Sequence, residues 1–354
     1  MSSPASMSLA SLAPGKFVIS PDSLDKETQN TGAQSFVLEM DSKSSTGQAL
    51  GQRHWQLDYE RTGDQLTVTR WLGRTNDIRS SYQVLDQLIA SLGIEELTLS
   101  NEVLSEGAQA IDPRHWQASD KGLTIQRDAF YQIRETFLAD ALLTITPDIR
   151  TEREGVEHPV PVRPQLPEGV LYRRQIPQLN VVFELYHATV EHDGERFHKW
   201  QNDPRVAEFW EYPFSREKLD EYLHNCRNDA HSAPLIACFD GVPFGYIETY
   251  WGQEDRLGPY YDARPFDHGF HLLVGEPDFL GGGRAEYWLK AVSHFLFLLD
   301  PRTDRLVGEP RSDNKNLLKW TEKVGWRKDK EFDFPHKRAA LMICDKAHFI
   351  KHFE

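Results

Sequence analysis

Five prolines, Pro147, Pro159, Pro161, Pro164 and Pro167, stud a polar, charged stretch at residues 146–169. Each proline ring fixes φ and removes an amide donor, so neither a helix nor a central strand runs through that spacing. A chain of 354 residues is expected to divide there, because domains commonly run to ~100–200 residues. The reading is a flexible segment over 1–34, rich in Ser and Ala, and a small α+β domain over 35–145. A proline-rich linker over 146–169 then leads to a second domain over 170–354.

Hydrophobic periodicity fills in both parts. Ser35–Met40, His54–Tyr59 and Leu66–Trp71 alternate apolar and polar residues, as the half-buried strands of a meander do. Helices are predicted around Ser81–Leu92 and Arg127–Leu138, with a short strand at Leu97–Leu99 between them. Beyond the prolines, strands and amphipathic helices interleave. Strands are predicted at Val181–Tyr186, Leu235–Phe239, Phe244–Trp251, Gly269–Gly275 and Arg305–Gly308, and helices at Gly194–Gln201, Arg216–Cys226, Arg284–Leu299 and Asn314–Val324. Trp288, Val292, Phe295 and Leu299 make one apolar stripe on the third helix. Asp313 or Asn314 caps the fourth and Gly325 stops it, and two closing strands flank Pro335-His336.

Composition removes several function classes. A net charge of −14 argues against a general nucleic-acid binder, which needs a basic surface to neutralise phosphates. The longest apolar run, Phe295–Leu299, is far short of the ~18 residues of a membrane span. The first residues carry no basic segment followed by an apolar core, so a cytoplasmic location is expected. Cys226, Cys238 and Cys344 are odd in number and lack a Cys-x-x-Cys pair, which supports neither a disulfide framework nor a zinc knuckle. Cys238 reads as a buried strand residue rather than a nucleophile. His294 has no second ligand at i+4, so it reads as a helix-face histidine, and no metal is expected.

Chemistry enters at Leu280-Gly281-Gly282-Gly283-Arg284-Ala285, which stands between a predicted strand and a predicted helix. Glycines let a backbone approach a ligand, and a helix N-terminus offers unpaired N–H groups to a phosphate. No Gly-Lys-Ser/Thr follows, so this is not a P-loop, and it is not a dinucleotide fingerprint at a first strand. On spacing alone a flexible turn and an anion site both remain open. Basic residues Arg284, Lys290, Arg311, Lys315 and Lys319 lie near this end, where they either offset the negative charge or form solvated helix faces. Trp210, Glu211, Tyr250, Trp251, Glu254 and Asp255 are either plain core or the wall of a slot for an aliphatic amine. Glu248, between Tyr246 and Tyr250, is costly to bury unless it is paired or faces a cleft.

The glycine turn is similar to the acyl-CoA pyrophosphate loop of the GNAT N-acyltransferases. More specific strings narrow the match: Asn202-Asp203-Pro204-Arg205-Val206, Phe209-Trp210-Glu211, Glu254-Asp255-Arg256, His271-Leu272-Leu273-Val274-Gly275-Glu276, Glu309-Pro310-Arg311-Ser312-Asp313-Asn314 and Glu331-Phe332-Asp333-Phe334-Pro335-His336-Lys337-Arg338. Together they resemble the siderophore-biosynthesis acyltransferases, in particular the hydroxylysine N-acetyltransferases of aerobactin synthesis and, more distantly, the mycobactin lysine N-acyltransferases. The resemblance covers about residues 170–350 and is faint upstream.

It implies an α+β fold whose C-terminal part is a mixed twisted sheet flanked by helices. The implied activity is transfer of a short acyl group, acetyl or succinyl, from acyl-CoA to the hydroxylamine nitrogen of N-hydroxylysine, hydroxyputrescine or hydroxycadaverine. By the same resemblance His271 and Glu309 are the catalytic pair, with the histidine as general base and its free nitrogen toward the nucleophile. Leu273, Val274, Gly281, Gly282, Gly283, Arg284, Ala285 and Asn314 are expected to hold the acyl-CoA, with backbone N–H groups near Leu272–Val274 polarising the thioester carbonyl. Trp210, Glu211, Tyr250, Trp251, Glu254, Asp255 and His268 are expected to contact the amine. His268 stands where the aerobactin enzymes are expected to carry Arg, which leaves room for a diamine without a carboxylate unless Arg264 takes over. Partners are the hydroxylated amine and other enzymes of the pathway, with no nucleic acid and no membrane. Two other readings stay open: a GNAT enzyme acetylating a foreign amine such as an aminoglycoside, and a noncatalytic acyl-CoA-binding module that docks a siderophore synthetase.

Overall fold

The computed structural model describes residues 15–19, 34–43, 49–75, 77–107 and 110–353. These residues form two compact units, one running to Asp140 and including 175–182, the other comprising 141–174 and 183–353.

The first unit carries β1 (Gly15–Ile19), β2 (Gln34–Lys43), β3 (Ala49–Thr62), β4 (Gln65–Leu72), β5 (Glu96–Ser100), β6 (Gln117–Ser119) and β7 (Gly122–Gln126) in one sheet of order β1-β2-β3-β4-β5-β7-β6. Only the β4–β5 pair is parallel among these neighbours, and the crossover it needs is the helix α1 (Ile78–Leu92). α1 starts ahead of the predicted Ser81 because Asp77 caps it, accepting from the Ser80 amide at 2.7 Å, and it ends at Gly93 with φ 61°. After α2 (Asn101–Glu106), the stretch predicted as one helix is two single turns, α3 (Arg127–Phe130) and α4 (Arg134–Phe137). Extended Ile133 lies between them, an arrangement that buries Phe130, Tyr131, Ile133 and Phe137 together. The segment 1–34, expected to be flexible, contains β1, whose Phe17 is buried with its ring 5.7 Å from that of Trp55. Residues 1–14 and 20–33 lie outside the described residues.

The proline-rich stretch also departs from the expected linker. Its prolines do exclude a helix, but the stretch is not a free linker. β8 (Arg150–Thr151) pairs with β9 (Val160–Pro161), and Arg163 is buried against Glu254 at 2.7 Å while its guanidinium lies 3.8 Å over the Trp251 ring. An extended chain, unable to coil, delivers that arginine to a buried carboxylate.

A sheet of eight strands follows: β10 (Val170–Ile176), β11 (Val181–His187), β12 (Ser232–Phe239), β13 (Val242–Trp251), β14 (His268–Val274), β15 (Arg305–Gly308), β16 (Arg327–Asp333) and β17 (Arg338–Asp345), in the order β10-β11-β12-β13-β14-β15-β17-β16. Between β11 and β12 come α5 (Val190–Gln201), α6 (Pro204–Trp210) and α7 (Arg216–Asn228); α8 (Arg284–Leu299), α9 (Lys315–Lys323) and α10 (Lys346–Lys351) come later. α5 and α7 bury Phe197, Trp200, Leu219 and Leu223 against Tyr246 and Leu273 of the sheet. α6 went unread in the sequence although Asp203 caps it and Pro204 occupies its first turn, a standard start signal. Among the described residues no helix is long and apolar enough to cross a membrane.

One detail of pairing creates the site. β14 and β15 are parallel and pair only at His268↔Leu306 and Gly269↔Val307. β14 then continues to Val274, whereas β15 stops at Gly308, two residues before Pro310, which has no amide to donate. The two strands part, and an open edge of β14 faces the residues that follow β15.

Candidate active site

Strand alternation decides which side chains reach that opening. His271 is the cross-strand partner of Glu248 on β13, so both emerge on the same face, and Glu309 follows β15 from the other side. His271 donates from Nε2 to Glu309 Oε1 at 2.9 Å, and its Nδ1 lies 3.5 Å from Glu248 Oε1. Three tyrosines complete the set: Tyr250 donates to Glu309 Oε2 at 2.7 Å, and Tyr222 and Tyr246 donate to Glu248 Oε2 at 2.6 and 2.8 Å. Glu248 therefore meets the condition for its burial, being paired and facing the cleft.

This arrangement revises the expected role of His271. Both ring nitrogens face carboxylates, so neither is left free to act as a base. Burial pushes the imidazole toward its neutral form, but Glu309 and Glu248 overcome it and raise its pKa to about 10. Burial likewise opposes the charge of Glu309, and the His271 cation, Lys337 and Tyr250 outweigh it and hold the carboxyl well below its usual range. Glu248 is lowered in the same way, burial being outweighed by His271, Tyr222 and Tyr246. The resting site is an imidazolium clamped between two carboxylates.

The clamp opens on a cleft of about 490 Å³ lined by Trp210, Glu211, Tyr222, Asp255, Leu272, Asn314 and Trp326 among others. Trp210, at the end of α6, donates from Nε1 to the Leu272 carbonyl at 3.1 Å and stands edge-on to His271 with ring centroids 6.3 Å apart. That bond reveals the direction of the backbone. The Leu273 carbonyl faces β13, lying 2.7 Å from where a Cβ on Gly245 would sit, so Leu272 turns its C=O and N–H to the opposite edge, where the strands part. An N–H pointing into the opening is suited to polarise a carbonyl.

The other expected residues divide sharply. Trp210, Glu211, Tyr250 and Asp255 belong to the cleft or its hydrogen-bond network. Trp251, Glu254 and His268 do not. His268 lies on the opposite face of β14, stacked at 4.0 Å on Trp251, and Glu254 is buried in its pair with Arg163. The inference that His268 widens the choice of amine loses its geometric basis, and Arg264, whose amide is bonded to Asp267, is not among the residues lining the cleft. Leu273 is a core side chain. Val274 precedes the loop that carries Gly281, Gly282 and Gly283 at φ 80, 60 and 73°, after which Arg284 and Ala285 open α8. All three glycines are in the left-handed region, and nothing lies within 4 Å of a Cβ at Gly281 or Gly283. The loop backbone is thus approachable, as a pyrophosphate needs. Asn314 caps α9, accepting from the Leu317 amide at 3.2 Å, and lines the cleft. The three cysteines are buried, and burial pushes their thiols up, away from nucleophilic thiolate. His294 is buried beneath Tyr172 rather than on an open helix face, and no metal-holding group of His, Cys, Asp or Glu occurs among the described residues.

Sequence reasoning missed Tyr222, Arg256 and Lys337, all of which line the cleft. Tyr222 lies on a polar helix with no local mark. Arg256 and Lys337 stood inside strings that carried the resemblance, but neither was given a role.

Residues 189–334 match the acetyltransferase (GNAT) domain family. The N(6)-hydroxylysine O-acetyltransferase of Escherichia coli is 43% identical over 230 residues, which cover 64% of this chain and 71% of that protein. The N(5)-hydroxyornithine:cis-anhydromevalonyl coenzyme A-N(5)-transacylase of Beauveria bassiana is 40% identical over 198 residues, 55% of this chain and 43% of that one. The hydroxyornithine transacylase of Ajellomyces capsulatus is 37% identical over 212 residues, 59% of this chain and 48% of that one. The match thus spans about half the length of each of these fungal relatives.

Proposed function

Because this chain belongs to the siderophore-biosynthesis N-acyltransferases of the GNAT superfamily, we propose that it moves an acetyl or succinyl group from coenzyme A to the hydroxylamine nitrogen of a hydroxylated lysine, ornithine or diamine. The observation that carries the reading is the His271 ring held between Glu248 and Glu309 at the gap between β14 and β15.

In the reaction a C–N bond forms, the C–S bond breaks, the nitrogen gives up a proton and the departing thiolate gains one. A hydroxylamine nitrogen is weakly basic and already neutral at pH 7, so it attacks without prior deprotonation. The Leu272 N–H and the His271 cation stabilise the negative charge that builds on the thioester oxygen. Once the nitrogen has attacked it is strongly acidic, and Glu248, the more exposed carboxylate at 12% against 1% for Glu309, takes its proton. The departing thiolate takes the proton that Glu248 has collected from the nitrogen, so His271 keeps both of its protons and its place between Glu309 and Glu248 throughout. Glu309, which also accepts from Tyr250 and faces Arg256 and Lys337, holds His271 in place and acts as its positioning residue.

The test is incubation with acetyl-CoA or succinyl-CoA and paired amines, following free thiol and the coloured iron(III) complex that only an N-acyl hydroxamate forms. Hydroxylated amines are expected to react. Amines lacking the hydroxyl arrive protonated and leave a buried group unpaired, and they are expected to be poorer by ~10⁴-fold. Efficient acylation of lysine, ornithine or putrescine, or thiol release without a hydroxamate, would contradict the reading. The colour reaction also separates N-acylation from the O-acylation in the name of the Escherichia coli relative.

A further inference from the structure

We propose that Arg256 and Lys337 form a carboxylate subsite in the wall of the cleft, which binds a free carboxylate carried by one of the two substrates; the inference rests on the acyl-transfer reading above. Both side chains line the cleft beside His271. They come from separate elements. Arg256 lies in the segment that follows β13, and Lys337 in the turn between β16 and β17. That turn is pinned: the Phe334 amide donates to the Lys337 carbonyl at 2.8 Å, and the Phe334 ring is buried with Tyr250, Leu257 and Val307.

The two cations have more donors than partners. Both reach the same oxygen, Glu309 Oε1, Lys337 at 3.4 Å and Arg256 at 3.5 Å, behind the 2.9 Å bond from His271. A carboxylate oxygen has two lone pairs, and here three cations converge on one oxygen. The guanidinium carries five N–H groups and the ammonium three, and among the described residues neither has any other ion-pair partner. Arg256 is half exposed and Lys337 is 16% exposed, so a ligand in the cleft reaches both. His336 shares the neighbourhood. Its pKa is lowered by burial and then by the charges of Arg256 and Lys337. The nearby acid Asp255 is engaged, accepting from the Leu257 amide at 2.9 Å and facing His231 at 3.5 Å.

Such a wall repels an ammonium and attracts a carboxylate. Two sources supply one: the α-carboxylate that distinguishes a hydroxylated amino acid from a hydroxylated diamine, and the free end of a dicarboxylic acyl group, which succinyl has and acetyl lacks. The chemistry is shared, and the position at the reacting centre suits either.

The experiment uses the full chain, wild type, Arg256→Gln, Lys337→Gln and the charge-keeping Arg256→Lys. Donors are acetyl-CoA and succinyl-CoA. Acceptors are N6-hydroxylysine with N-hydroxycadaverine, and N5-hydroxyornithine with N-hydroxyputrescine, so that each pair differs by one carboxylate. The quantity read is the ratio of kcat/KM between carboxylate-bearing and carboxylate-free members. Each glutamine variant is expected to lower that ratio by ~10-fold or more, mainly through KM, the size of a lost charge-assisted hydrogen bond, with Arg256→Lys between it and wild type. A fall confined to the donor pair assigns the subsite to the acyl group, and one confined to the acceptor pairs assigns it to the amine. Ratios within twofold of wild type in both glutamine variants, with thermal melts showing them folded, would overturn the subsite while leaving acyl transfer standing. A wild-type chain inactive with every combination would instead overturn the acyl-transfer reading, and the subsite with it.

Discussion

Three positions apart on β14, His271 and His268 lie on opposite faces of one sheet and are driven to opposite charge states. On the cleft side, burial is outweighed by two carboxylates and the His271 pKa rises to about 10. On the other side, His268 is buried against Trp251 beside a cavity of about 100 Å³ that His187 and His231 also line. There burial and the nearby Arg163 push its pKa down to about 3, and its Nδ1 has no hydrogen-bond partner. The difference teaches that a histidine in a sequence motif has no fixed chemistry. The strand face it occupies selects its neighbours, and the neighbours select its proton count.

The comparison breaks most readily at His271. His271→Ala is expected to lower kcat by ~10²-fold or more while coenzyme A still binds, because the lost interactions are made with the transition state. Stopped-assay kinetics and calorimetry with coenzyme A check both halves. Loss of binding with kcat intact would reverse the assignment.

A subtler change sharpens it. Glu248→Gln removes both the acceptor of the nitrogen's proton and one of the two carboxylates that raise the His271 pKa, so kcat is expected to fall ~10-fold or more at every pH and the alkaline limb of what remains to move to lower pH. The linkage to stability has a definite sign. A folded pKa above the unfolded value of ~6.5 means that His271 contributes fully below about pH 6.5 and loses its contribution as pH rises through about 10. In Glu248→Gln that alkaline loss is expected to begin earlier, which denaturant melts from pH 7 to 10 measure.

Smaller effects are expected at the glycine turn. Gly281→Ala with Gly283→Ala adds side chains where the backbone is left-handed, at a cost of ~1–2 kcal/mol each. Space is not the obstacle, since nothing lies within 4 Å of either Cβ. The acyl-CoA KM is expected to rise several-fold as the strained loop shifts, with kcat at saturation little affected. An unchanged KM together with unchanged coenzyme A affinity would put the pyrophosphate elsewhere.

The smallest effect on turnover belongs to the other face. His268→Leu is expected to change kcat by less than ~3-fold and to destabilise the chain by ~1–3 kcal/mol at pH 7 through lost packing on Trp251. Its pH signature is opposite to that of His271. A folded pKa below the unfolded one means His268 contributes above about pH 6.5 and loses that contribution as pH falls toward about 3. His268→Leu is therefore expected to flatten the acid side of the stability profile between pH 6.5 and 4.

Much of this was legible in the sequence, for identifiable reasons. The strands and helices of the C-terminal part follow from periodicity, and the pairing of His271 with Glu309 was expected because both stand in strings that resemble the family. The alternation that sets His271 opposite Leu272 also sets it opposite His268, so His268 was legible as off-site; the motif around it obscured this. Trp251 and Glu254 were misplaced for a related reason. Their partner Arg163 lies almost a hundred residues upstream in a stretch read as linker, and no local pattern announces so distant a contact. Tyr222 is absent from any motif because its hydroxyl reaches Glu248 only after α7 has packed on the sheet. The second carboxylate at His271, and hence its charge, depends on β13 and β14 pairing in one register. A one-residue slip would turn Glu248 to the other face.

Opposite charge states on one strand are separated by NMR titration of ¹⁵N-histidine-labelled protein, with His271→Asn and His268→Leu assigning the two signals. At pH 8 the His271 ring is expected still to carry protons on both nitrogens and to deprotonate only near pH 10, while His268 stays neutral down to pH 4. A His271 ring already neutral at pH 8, or a His268 ring that titrates near pH 6.5, would contradict the opposite charge states.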